Sequence, residues 1–414
     1  DGSSTSPILP IPRYRLSSRR MRVIGLISGT SLDAIDVCAA DLVLADGIVT
    51  LVPLGHDERP WPPALRRRLL AALPPAPITV ADICQLDTES GHAFADAAAW
   101  AIDHLAEGRA DLVASHGQNV FHWIENGRAR GTLQLGQPAF IAERTGLPVI
   151  SDFRAADIAA GGQGAPLAST LDALWLAGDT PRAALNLGGI ANITVVGGDG
   201  LTAFDTGPAN CLMDLEAVRQ TGGAQSSDLD GRIASTGAIR PDLLARLRAE
   251  PYFALPPPKS TGRELFDSSF VPRHSAGLPA ITDADLMRTL LELTASTVAD
   301  ACRRSGVTEV VASGGGVRNP VLMAALAAHL APIALTTAEA EGLPSAGKEA
   351  YLFALLGFLT WHGVPGTVPG ATGSHIPRIL GRLSVGHGPL RLPDPAPPPT
   401  RLRIERVPRV ASRP

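Results

Sequence analysis

Lysine is nearly absent from this chain: among its 36 basic residues only Lys259 and Lys348 are lysines. Cysteine is scarce too, and the four present (Cys38, Cys84, Cys211, Cys302) stand singly, with no C-x-x-C pair. That excludes a zinc ribbon and a disulfide framework and points to a reducing compartment, so the cytoplasm is the expected location. Aromatic residues make up only 4%. No apolar run approaches the roughly 18 residues of a membrane-spanning helix, so a membrane is not an expected partner. The net charge of −4 leaves no positive field to hold a polyanion, which removes nucleic acid as well. What the chain does have is apolar bulk: 45% hydrophobic against 18% charged over 414 residues, the composition of a soluble globular protein with room for two or three domains.

Residues 1–20 combine Ser, Pro and Arg without the apolar stretch of a secretory signal and read as a disordered leader, with Met21 a candidate start. From about Gly388 the chain is again rich in Pro and Arg, and it is expected to stay outside the core.

Between these ends one grammar occurs twice. Residues 22–27 read as a strand, SGTSLDA as a turn, Ile35 to Leu44 as a second strand, Asp46-Gly47 as a hairpin turn and Ile48 to Pro53 as a third strand. In the second half Ala183 to Leu187, Gly188-Gly189, Ile190 to Val196, Gly197 to Gly200 and Leu201 to Phe204 repeat the pattern and run into a helix. This predicts a duplicated α/β architecture with a cleft between its halves. Thr282 caps a helix with Leu286, Leu290 and Leu293 on one face, a core-packing stripe. Val310 to Ala312 form a buried strand ending in Ser313-Gly314-Gly315-Gly316, with a helix starting near Asn319-Pro320. Strand, glycine turn and helix suit an anion or nucleotide, although most such turns are merely tight.

The first turn, Gly29 to Asp36, offers a hydroxyl pair, approachable backbone and two carboxylates that can hold Mg²⁺ through water. It lacks the P-loop lysine and leads into a strand, and an ordinary polar hairpin is the plain alternative. In Phe204-Asp205-Thr206-Gly207-Pro208-Ala209-Asn210 an acid stands at a strand end, the place where α/β folds bind ligands, which makes Asp205 a candidate base. Two polar patches, Ser115 to Gln118 and Ser151 to Leu167, suit a polyhydroxylated ligand with a carboxylate, and Arg154 is the natural clamp. His116 and His122 lack acidic co-ligands, so a hydrogen-bonding role is expected for His116 rather than zinc. Glu349 follows Lys348 at a helix start, where the dipole alone would favour an acid.

The segments ISGTSLDAIDV, ASHGQNVFH, LQLGQPAFIAERTGLPVISDFRAADIAAGGQGAPL, LNLGGIANIT, FDTGPANCLMD, KSTGRELF, SGGGVRNPVLM and KEAYLFALLG occur in the order seen in the anhydro-N-acetylmuramic acid kinases. The chain resembles that family over roughly residues 21 to 385. Ala34 and Ala209 stand where glycine is usual, and Asn119 where threonine is usual. The resemblance implies the duplicated, actin-like (ribonuclease H-like) ATPase fold with a central cleft. Residues 21–147 with about 375–387 would form the first domain, 148–374 the second and 388–414 a tail. It implies conversion of 1,6-anhydro-N-acetylmuramic acid, ATP and water into N-acetylmuramic acid 6-phosphate in cell-wall recycling, with ATP and Mg²⁺ as cofactors and a homodimer left open. Asp205 would be the catalytic base and Glu349 a second essential acid. ATP would lie on Gly29, Thr30, Ser31, Leu32, Asp33, Ala34, Ile35 and Asp36 with Gly188, Gly189, Gly314, Gly315 and Gly316. The sugar would meet Ser115, His116, Gln118, Asp152, Arg154, Asp157 and Gln163. An ordinary acid-sugar kinase of the same superfamily and a non-catalytic ATP-binding clamp are the competing readings.

Overall fold

A computed structural model describes residues 19–29, 31–197, 200–262 and 264–406. Thr30 and residues 1–18 lie outside the described residues.

The first repeat begins with β1 (Met21–Ser28), β2 (Ala34–Ala45) and β3 (Ile48–Pro60), an antiparallel meander turned at Asp46-Gly47. β4 (Leu112–Glu125) then lies parallel to β1, with β5 (Arg128–Leu135) folded back on it and β6 (Val149–Ser151) parallel beyond it. The second repeat opens on the meander β7 (Arg182–Leu187), β8 (Ile190–Gly197) and β9 (Gly200–Pro208). β10 (Glu309–Ser313) pairs parallel to β7, and β11 (Ala334–Thr337) parallel to β10. The spatial orders β3-β2-β1-β4-β6 and β9-β8-β7-β10-β11 are therefore one topology built twice, the duplicated ATPase fold expected of the chain. Two late strands extend the first sheet: β12 (Arg382–Ser384) joins β6, and β13 (Arg401–Ile404) joins β3.

β13 corrects the expectation that everything past Gly388 stays outside the core, because Leu402 is buried there. An edge strand takes its partner from the existing sheet, so a Pro-rich approach does not prevent pairing. The boundary expected at 148 also shifts. β6 belongs to the first sheet, and the helix Lys348–Trp361 packs on β1, β2 and β4 rather than on the second sheet.

Alternation in β1 sends Ile24 and Leu26 to one face and Val23 and Ile27 to the other. The helix Val80–Leu105 covers the first face, with Phe94 and Ala98 in the same core. The helix Lys348–Trp361 covers the second. It is apolar all round, and it nests closely because Gly25 lies under the Ala350 carbonyl and Gly357 over Ala114, where side chains would collide. This second core also takes in Ala184, Val196 and Val311 of the other sheet, so one apolar cluster joins the halves. The helix Asp283–Arg304, capped by Thr282 as expected, fills the far face of the second sheet through Leu286, Leu290 and Leu293. None of the four cysteines is in a disulfide. Among the described residues no helix is long and apolar enough to cross a membrane.

Candidate functional site

Asp205 does not lie in a turn; β9 runs on through Pro208, past a bulge that pairs Asn192 with Asp205. The segment after it in sequence wraps the open edge of β9 and fixes this residue three ways. Its amide donates to the Lys259 carbonyl (3.0 Å), its carbonyl accepts from the Tyr252 hydroxyl (2.8 Å), and Oδ2 accepts from the Thr261 amide (2.9 Å). Among the described residues Oδ1 accepts no hydrogen bond. Burial pushes the carboxyl above its ordinary range, the Thr261 amide opposes this, and Glu264 adds to it. Lys259 is spent on the same scaffold, donating to the Tyr252 and Phe253 carbonyls and lying 4.5 Å from the Tyr252 ring centroid.

On the first sheet a second group assembles around Arg154. Its Nε donates to His116 Nε2 (2.9 Å) and its Nη1 to the Gly164 carbonyl (2.6 Å). His116 must then carry its proton on Nδ1, which lies 3.0 Å from the Gly117 carbonyl. Burial and Arg154 push this histidine down to about 3, so it is neutral at physiological pH, as the geometry demands. Nη2 is left over: a desolvated guanidinium anchored by two neutral partners and, among the described residues, bonded to no carboxylate, which is the geometry of a prepared anion site. Glu349 acts on it through space. That glutamate is accessible to solvent yet surrounded by protein on most sides. Burial raises it, while Arg154 and Lys348 lower it. Asp36 joins the group from β2, raised to about 7 by burial, Glu58 and Glu349.

The turn Gly29 to Asp36 is braced from three sides. Arg66 Nε donates to the Leu32 carbonyl (2.6 Å), Gln118 Nε2 to the Gly29 carbonyl (3.2 Å) and Trp61 to Ser28 Oγ (3.1 Å). Ser31 and Asp33 are exposed on it, while Leu32 and Ile35 point into the core, so only part of this run faces a ligand. Asp36, on β2, is coupled to Glu58 and Glu349, and the exposed Asp33 is the carboxylate on the turn, paired with Arg66 Nη2 (3.3 Å). Ser115 Oγ and Gln118 Oε1 are fully buried without a hydrogen-bond partner, a condition that a polar ligand would relieve.

The glycine turns of the second half meet one another. Gly314 sits at φ +87°, and a Cβ there would lie 2.6 Å from Asn186 Oδ1. A Cβ on Gly316 would strike Leu187, whereas Gly315 faces open space. The carbonyls of Gly188 and Gly189 accept from the Asn210 and Cys211 amides, which seats the helix Cys211–Gln220 against both turns.

Three expected sugar contacts are occupied elsewhere. Asp157 is fully buried and accepts from the Gly164 amide (2.7 Å) and from Thr372 Oγ1 (2.7 Å), shaping the loop that holds Arg154. Gln163 clasps the tip of the β4–β5 hairpin, at the Ala129 amide and the Gly127 carbonyl. Asp152 pairs with Arg382 of β12 (2.8 Å). Tyr252, Thr261 and Glu58 were not expected at the site; two of them act on Asp205 through a backbone group at one or both ends of the bond, which no side-chain pattern reveals.

Comparison with known proteins identifies the family. A family model described as anhydro-N-acetylmuramic acid kinase matches residues 21–385. The chain is 56% identical over 387 residues to a protein of that name from Streptomyces avermitilis, covering 93% of this chain and all of that one. It is 53% identical to the namesake from Streptomyces coelicolor, over 93% of this chain and 99% of the other. It is 50% identical to that from Rhodococcus erythropolis, over 93% of this chain and 100% of the other.

Proposed function

The chain belongs to the anhydro-N-acetylmuramic acid kinase family, and on that premise we propose that Asp205 is the base that couples opening of the anhydro sugar to its phosphorylation. In 1,6-anhydro-N-acetylmuramic acid O6 is tied to C1, so there is no free hydroxyl to phosphorylate. Water gives a proton to Asp205 Oδ1 as its oxygen bonds to C1. The C1–O6 bond breaks, O6 takes up the γ-phosphoryl group of ATP, and ADP leaves with the bridging electron pair. The observation that carries this reading is the divided carboxylate of Asp205: one oxygen is fixed by the Thr261 amide, the other is available, and burial pushes the group above the ordinary carboxylate value.

Arg154 fits the lactyl carboxylate that distinguishes muramic acid, since its free Nη2 lacks an anionic partner. The glycine turns at 188–189 and 314–316 fit ATP phosphates, because Gly315 leaves an open backbone cradle. Among the described residues no three His, Cys, Asp or Glu side chains converge as a metal cage. This suits Mg²⁺ held chiefly by phosphates and water, with Asp33 as the carboxylate at hand. When bound, the ion supplies positive charge against the triphosphate, which the two engaged lysines do not. The reaction belongs in the cytoplasm, on sugars recovered from the cell wall; a homodimer is part of the proposal and is read by analytical ultracentrifugation.

An ADP-release assay over a panel of neutral and acidic sugars, run in oxygen-18 water, tests the reaction. ADP formed in step with the acidic anhydro sugar, with the label at C1, is the expected result. Phosphorylation of a sugar with a free hydroxyl and no incorporation of label would replace this reading with an ordinary sugar kinase.

A further inference from the structure

Glu349 belongs to the proposed site, but among the described residues its carboxylate makes no hydrogen bond and no ion pair. Its helix, Lys348–Trp361, begins at Gly347 with no side-chain cap, and beyond the first turn Ala350 to Leu359 are all buried in apolar surroundings. The close contacts at Ala350 and Gly357 fix how this helix seats on the sheet, but the apolar surroundings offer its first two side chains no directional bond. Among the described residues the one ion pair of the first turn is made by Lys348, whose ammonium lies 2.8 Å from Asp172 Oδ1 with the two side chains 13% and 4% exposed. The same ammonium lies 5.6 Å from the Trp175 ring centroid. Oδ1 forms no aligned hydrogen bond, so the contact is a charge pair in a nearly dry pocket. Asp172 and Trp175 stand on the helix Ala168–Trp175, which follows at once on the loop whose Gly164 carbonyl anchors Arg154.

We propose that Asp172 and Lys348 are a positioning pair for the reaction, clamping the first turn of the helix Lys348–Trp361 to the helix Ala168–Trp175 and so fixing the Glu349 carboxylate relative to Arg154. This rests on the reading that Glu349 is part of the active site. A buried ion pair adds little net stability over an apolar pair of the same size, so stability alone does not account for it, and a fixed orientation does. The pair also sets the field at Glu349. The charged groups that reach this carboxylate are Arg154 from the β6 side, Asp36 from β2, and Lys348 itself. Behind them stand Glu58 on β3, acting on Asp36, and neutral His116 on β4, bonded to Arg154. His56 on β3 packs against Tyr351 of the same helix. Lys348 is thus one of two cations opposing the burial that raises Glu349.

The test compares four full-length variants by circular dichroism, thermal melting and steady-state kinetics between pH 5 and 9. Asp172→Asn/Lys348→Met removes both charges together, leaving no unpaired buried charge to unfold the chain. It is expected to fold and to lose about 10- to 100-fold in kcat, the scale of a misplaced reacting group, with KM for ATP unchanged. The limb of its pH profile set by Glu349 should move up, because Lys348, the cation next to it, is lost. Lys348→Arg keeps the charge and should recover most of the rate, while Asp172→Asn alone should fall between. A folded double variant with wild-type kcat and an unmoved limb overturns the positioning role, as does a loss of Tm with no change in the pH profile. Glu349→Gln separates the premise from the inference: if it is inactive, those outcomes judge the pair, and if it turns over at the wild-type rate, the assignment of Glu349 falls and the pair's role falls with it.

Discussion

Asp205→Asn keeps the shape of the side chain and its bond to the Thr261 amide but removes the basic oxygen. Loss of a general base costs about 10²- to 10⁴-fold, and here sugar cleavage and ADP formation should fall together while both ligands still bind. Calorimetry for binding and chromatography of the sugar check this; a variant that still opens the anhydro bridge but makes no phosphate ester would break the coupling. Asp36 poses a different question, because its environment works against its charge. Its carboxyl titrates near 7 in the folded chain against an ordinary value of 3.8. The folded state therefore holds a proton that the unfolded state has lost between about pH 4 and 7. Stability from this group is present at low pH and is lost as pH rises through 7. Asp36→Asn should accordingly stabilise the unliganded protein at pH 8, on the order of 2–4 kcal/mol, and have no such effect near pH 4. Melting curves across pH read this directly, and an equal gain at both ends would exclude proton linkage as the cause.

Among the elements, the two meanders were plain from short-range signals. The turn at Asp46-Gly47, the pair Gly188-Gly189 and alternating apolar residues fix them without reference to distant contacts. The ends of the same strands were not legible, because β3, β4 and β9 run on where a neighbouring strand supplies hydrogen bonds, past the bulges at Ala39, Leu26 and Ala191. The site shows the same division. Asp205 and Arg154 were singled out from their place beside strands and keep groups free for a ligand, whereas Asp157 and Gln163 carry the same polar chemistry and are consumed in shaping loops. β13 was invisible for the opposite reason: its flanks of Pro and Arg look unstructured, and only the open edge of β3 gives it a partner. If Leu402 anchors that strand, Leu402→Ala should cost about 2–5 kcal/mol, seen as a fall in Tm, whereas the effect of a dangling tail would be within experimental error. The glycine turn after β10 yields a sharper contrast. Gly314→Ala places a side chain at φ +87° against Asn186 and Leu187 and should lower Tm and raise KM for ATP. Gly315→Ala meets open space and should leave Tm unchanged.

At the scale of the molecule, the groups assigned to the proposed reaction stand on different sheets. Arg154, Glu349 and the turn at Gly29 belong to the first, Asp205 and the glycine turns to the second. Asp205 takes its contacts from residues 252–264, and Glu349 takes its own from Arg154, Lys348 and Asp36, with no partner common to both. In the proposed reaction a single sugar would touch both sets, with Asp205 reaching the water at C1 and the lactyl carboxylate on Arg154. Glu349 is also solvent-accessible, and a wet cleft would spend ATP on water instead of on O6. Closure of the halves meets both requirements, and the structure shows what it would turn on. The core of Leu171, Trp175 and residues 350–359 is shared by the two sheets. The C-terminal segment spans them as well, pairing with β3 while Arg406 donates to the carbonyls of Glu339 and Ala340 beyond β11. Small-angle scattering should therefore give a smaller radius of gyration when the anhydro sugar and a non-hydrolysable ATP analogue are both bound, with less change for either alone. Identical curves for the free and doubly bound protein would mean that the cleft is already closed, and the exclusion of water would have to come from the sugar itself.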